Sequence, residues 1–139
     1  MKNKDVAKLW FEKAGNDLIS AEYLMTMKKP PIDVVRYHCQ QAAEKYLKGF
    51  LAYNDIEPPH IHDVKLLIIE CSKIKENFSD ILDIGSLLNP YAVIVRYPGE
   101  TEEISEEDAL EAIEISKRIK KIVIKNTKIN KNLKDTDYV

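Results

Sequence analysis

Glycine and cysteine are scarce in this 139-residue chain, and each scarcity closes off a class of chemistry. Its four glycines, Gly15, Gly49, Gly85 and Gly99, build no phosphate-cradling loop of either the P-loop or the dinucleotide type. The two cysteines, Cys39 and Cys71, lack CxxC spacing, which excludes a zinc site made of cysteine pairs and fits two buried, reduced thiols. Uninterrupted apolar runs are missing too, and none approaches the ~18–20 residues that span a bilayer. The opening Met-Lys-Asn-Lys-Asp leads straight into an amphipathic pattern with no signal-peptide core, so a cytoplasmic location and no membrane partner are expected. A formal net charge of −2 excludes a broadly basic nucleic-acid coat while leaving room for a local basic site. The length suits one domain with a sizeable core.

What remains is helical almost throughout. Ala7, Trp10, Ala14, Leu18, Ala21 and Met25 recur every three or four residues, predicting a first helix over about 4–27 with Trp10 in the core. Lys28-Lys29-Pro30-Pro31 ends it, and Pro31 suits the opening turn of a second helix that runs to about Tyr53. A proline-stiffened loop follows, and Asp63 is placed to cap a third helix whose apolar stripe is Val64, Leu67, Ile68 and Cys71. Residues 77–89 read as one further helix leading into an extended Tyr91–Tyr97 segment, where a short strand lacks a convincing partner. Ser105-Glu106-Glu107-Asp108 gives the clearest start signal, a hydroxyl cap followed by acidic residues that favour the helix dipole. The expected fold class is all-α, an antiparallel bundle of four to five helices spanning 1–125, with a polar, flexible tail over 126–139.

The second helix carries the most informative stretch, His38 to Gly49. At about 100° per residue, Gln40, Gln41, Glu44, Lys45 and Lys48 share an arc roughly 140° wide, opposite Cys39, Ala43, Tyr46, Leu47 and Phe50. Paired glutamines on such an arc suit a partly buried polar network or a dimer seam. A plain solvated face fits the same pattern.

Four pieces of the sequence, in order and at fitting separations, carry a resemblance. They are Trp10 with Ala14, Asp17, Leu18 and Ala21; His38-Cys39-Gln40-Gln41-Ala42-Ala43-Glu44-Lys45-Tyr46-Leu47-Lys48; Pro59-His60-Ile61-His62-Asp63; and Tyr91-Ala92-Val93-Ile94-Val95-Arg96-Tyr97-Pro98. Over about residues 5–125 the chain resembles the HEPN domain (higher eukaryotes and prokaryotes nucleotide-binding). That resemblance implies an antiparallel helical bundle, usually a homodimer, with nucleotide or RNA contact as the common theme. It also implies a minimal nucleotidyltransferase as companion in a two-component, toxin–antitoxin-like system. If that transferase modifies tyrosine, Tyr37, Tyr46, Tyr53, Tyr91, Tyr97 and Tyr138 are the candidates.

One departure limits the resemblance. Many HEPN ribonucleases use an arginine followed by four to six residues and a histidine. Here Arg36 precedes His38 by two positions, and neither Arg96 nor Arg118 has a histidine after it. The expectation is therefore a binding partner rather than an enzyme, with no catalytic residue, cofactor or metal assigned. Candidate nucleotide- or RNA-binding residues are Lys45, Lys48, His62, Arg96 and Tyr97. Guanidinium and ammonium groups suit phosphate, and a tyrosine ring can stack on a base. Gln40, Gln41 and Glu44 are the candidate polar face or dimer seam. Two alternatives stand: a metal-independent ribonuclease pairing Arg96 with His38 or His62, and a purely structural dimeric partner. His60-Ile61-His62-Asp63 could begin a metal site, but no second cluster at a predictable spacing completes it.

Overall fold

The computed structural model describes residues 2–89 and 105–129. They form five α-helices: α1 (Asn3–Leu24), α2 (Ile32–Tyr53), α3 (Val64–Ser72), α4 (Leu82–Gly85) and α5 (Glu106–Lys125). No strand occurs among them. Trp10 lies beside Gly49 whereas Asp17 reaches back to His38, so α1 and α2 run antiparallel. Ser116 of α5 donates to the Cys39 carbonyl and Lys128, just past α5, meets Tyr53, so α5 runs alongside α2 in the same direction. The bundle is all-α, as its periodicity predicts.

α2 is the central element, packed against α1, α3 and α5. Its Val35, Cys39, Ala43, Tyr46, Leu47 and Phe50 are fully buried. Phe50 and Phe78 bring their ring centroids to 4.6 Å, a contact that adds about 0.5–1.5 kcal/mol beyond area burial. Gly49 marks the closest approach of α1 and α2, because a Cβ there would stand 2.5 Å from the Phe11 ring and 2.9 Å from Trp10 Cβ. This packing needs a residue without a side chain.

Several boundaries differ from the expected ones. Pro31 sits just before α2 rather than in its first turn, and its carbonyl accepts from Val35 N at 3.0 Å. Residues 76–88 do not make one helix but two 3₁₀ segments, Glu76–Ile81 and Ser86–Leu88, around the single turn of α4. Phe78, Ile81 and Leu88 are all buried there, a spacing of three and seven that tight turns against the core satisfy as well as one regular helix does. Trp10 is half-buried, and Phe11 takes its place in the core. The expected flexible tail starts too early: Thr127 and Ile129 are buried, and Lys128 N donates to the Tyr53 hydroxyl at 3.0 Å. Buried Thr127 and Ile129, beyond the last turn of α5, hold the chain to the bundle. The Tyr91–Tyr97 segment, with Arg96 and Tyr97, lies outside the described residues.

The two capped helices start where the sequence places them. Asp63 Oδ1 accepts from Leu66 N at 3.1 Å at the head of α3. Ser105 and Asp108 form a reciprocal capping box at the head of α5. Those hydrogen bonds from Ser105 hold the exposed Asp108 carboxyl below the usual aspartate range.

Candidate functional site

Two carboxylates reach α2, one from a neighbouring helix and one within it, and each takes hold of a histidine. On one side, Asp17 of α1 accepts from His38 Nδ1 at 2.9 Å through one oxygen and from the Lys45 ammonium through the other. On the other side, the buried Glu44 accepts from Gln40 Nε2 at 2.7 Å and from His62 Nδ1 at 3.0 Å. A carboxylate can only accept when ionised, so Nδ1 carries the hydrogen in both histidines and Nε2 is the nitrogen turned away from the carboxylate. The His62 side chain is 74% exposed although its anchor, the Glu44 side chain, is 3% exposed. A surface imidazole is thereby fixed to the core.

The loop bearing His62 is held in turn. Asp63 Oδ1 accepts from Asn89 Nδ2 at 2.9 Å, and Asn89 Oδ1 accepts from Val64 N at 2.6 Å. Asn89 thus satisfies one of the free amides at the start of α3 and clamps the residue after His62. Sequence reading missed Asn89, since it lies 26 residues from Asp63 and belongs to no motif.

Lys48 completes the polar face. It is 8% exposed, and its Nζ stands 5.9 Å from the centre of the Trp10 ring. Lys45, by contrast, commits its charge to Asp17. Of the three readings left open for the α2 arc, solvated surface and dimer seam need accessible side chains, whereas a partly buried polar network does not. Gln40, Glu44 and Lys48 are buried in the single chain, while Gln41 and Lys45 stay partly accessible. The arc as a whole is therefore not a solvated face, because α2 is central and neighbours cover it on most sides.

Other candidates separate clearly. Cys39 and Cys71 are buried free thiols. Burial pushes the Cys39 thiol up to about 12 and Cys71 higher still, so neither is a nucleophile near neutral pH. His60 is exposed and joins neither pair. No group of three or more His, Cys, Asp or Glu placed to hold a metal occurs among the described residues. Of the tyrosines named above, Tyr46 is buried, Tyr53 is half-buried and Tyr37 is exposed. The other three lie outside the described residues. No helix here is long and apolar enough to cross a membrane.

The HEPN domain model matches residues 7–129, from the first turns of α1 to the anchored Ile129. The chain belongs to the HEPN domain family. The crystal structure of an archaeal HEPN homologue matches with a TM-score of 0.69 and 25% identity, over 90% of this chain and 97% of that one. No curated protein gives a significant match. HEPN membership supports a nucleotide-binding or ribonuclease-like domain, and it spans both carboxylate–histidine pairs and the Trp10–Lys48 contact.

Proposed function

We propose that this HEPN domain is a nucleotide- or RNA-binding protein that works as the homodimeric companion of a minimal nucleotidyltransferase in a two-component, toxin–antitoxin-like system. The observation that carries the binding part is His62, an exposed imidazole whose orientation is fixed by a buried glutamate. A solvated histidine has no need of such an anchor, whereas a ligand-contacting one gains from it, since ordering the group beforehand lowers the cost of binding. Lys48 on α2 supplies positive charge, whereas Lys45, also a candidate from the sequence, is already neutralised by Asp17; Arg96 and Tyr97 are the further candidates for phosphate and base.

Titration with ATP, GTP and short RNA tests this reading. Saturable binding in the micromolar range is expected, and its absence leaves a structural dimeric partner as the better account. Incubation with structured RNA in the absence of metal tests the ribonuclease alternative. Cleavage that disappears in His62→Ala and Arg96→Ala would overturn the non-enzymatic reading. The companion is tested by co-purification with a nucleotidyltransferase encoded in the neighbouring reading frame.

A further inference from the structure

Lys48 is the one basic side chain of the α2 polar arc whose charge the described residues leave uncompensated. Its stem is covered, and its nearest electronic partner is the face of Trp10. Neither an ion pair nor a hydrogen bond joins its ammonium to any described residue, although it carries three N–H donors. Glu44, one turn earlier on the same face, makes no ion pair with it and turns its oxygens to Gln40 and His62 at 2.7 and 3.0 Å. A largely desolvated ammonium without an anionic partner is costly, and an arriving oxyanion removes that cost.

The surroundings restrict what can arrive. Trp10 is pinned by the α1–α2 approach at Gly49, where its Cβ leaves no room for a further methyl group. His62 is pinned by Glu44, with Nε2 turned away from the carboxylate. Lys48 therefore lies between the Trp10 ring on α1 and, about one helical turn away, Glu44, which anchors the His62 imidazole. Lys45 plays no part, because Asp17 already neutralises it.

We propose that Lys48, flanked by Trp10 and His62, is the seat of one phosphate group, with the ammonium donating to its oxygens and His62 Nε2 donating as well when the phosphate is met by the imidazolium form. This deepens the proposed function and rests on it, naming phosphate rather than base as what this part of the domain recognises. The phosphate can come from a free mononucleotide or from an RNA backbone.

Trp10 is the only tryptophan in the chain, so its fluorescence reports directly on the seat. The full-length protein is titrated with AMP, adenosine and a short single-stranded RNA, and binding is followed in parallel by calorimetry. A saturable change in Trp10 emission is expected with AMP or RNA and not with adenosine. AMP without RNA marks a nucleotide seat, and RNA without AMP a backbone seat. Lys48→Met, which keeps the buried stem, should weaken binding by about 10- to 100-fold, the usual loss for a charge-assisted hydrogen bond. Lys48→Arg should restore much of it, His62→Gln should weaken it less, and Lys45→Gln should leave it unchanged. Circular dichroism confirms that each variant is folded. Equal binding of adenosine and AMP, or undiminished binding by folded Lys48→Met and His62→Gln, overturns the seat while the proposed function stands. Failure of every probe to bind overturns both.

Discussion

The two carboxylate–histidine pairs on α2 use the same groups for different ends. Asp17 takes two basic partners and lies in a partly open position, with side-chain exposures of 13% for itself, 27% for His38 and 25% for Lys45. It clasps α1 to α2, and both of its oxygens are spent on these partners. Glu44 lies in the core with only an amide and an imidazole for partners, and its histidine points outward. One pair closes a helix–helix seam, whereas the other sends a core contact out to the surface. The difference comes from where the histidine is mounted: His38 is on α2 itself, while His62 is on a loop that can carry its ring into solvent.

Three substitutions break or sharpen this contrast. Glu44→Ala should have the largest effect, lowering stability by about 3 kcal/mol, since it opens space in the core and strands the buried Gln40 amide. Chemical denaturation measures it, and a loss below about 0.5 kcal/mol means that Glu44 is not an anchor. Asp17→Asn should cost about 1 kcal/mol, because its partners can turn to water and partly exposed ion pairs contribute little. Its AMP or RNA affinity should stay at the parental level, and a fall there shows that the clasp serves binding as well. His62→Ala should cost no more than about 1 kcal/mol, since the ring itself is mostly in solvent but its loss leaves a buried Glu44 oxygen without its donor. A thermal melt shifted as far as that of Glu44→Ala would make His62 a structural residue instead. Because the two pairs share no partner, Glu44→Ala and Asp17→Asn should add to within about 0.5 kcal/mol when combined.

Much of the bundle was legible in the sequence, in the places where local chemistry decides. Asp63 and Ser105 cap α3 and α5 because a side-chain oxygen there meets a free amide three residues on, a relation contained within one turn. The polar arc of α2 was also legible as an arc. Its burial was not, since Gln40, Glu44 and Lys48 read equally well as surface until α2 is seen at the centre of the bundle. Trp10 was misplaced for a related reason: the α1 stripe is wide enough to accept either Trp10 or Phe11, and the close approach at Gly49 chooses Phe11. Residues 76–88 broke into short turns because burying Phe78, Ile81 and Leu88 against several neighbours outweighs a weak helical pattern.

By itself the sequence determined an all-α HEPN chain, the two capped helix starts and the residues that face one another around the axis of α2. Those are properties of the chain over a few turns, fixed by backbone hydrogen bonding and a period of about 3.6 residues. Tertiary structure alone decided that Asp17 receives His38 and Lys45, that Glu44 receives His62, and that Lys48 is left to Trp10. Helix periodicity gives the direction in which a side chain leaves its own axis. What stands opposite is set by how helices cross, and the two carboxylates lie 18 to 28 residues along the chain from their histidines and Lys45.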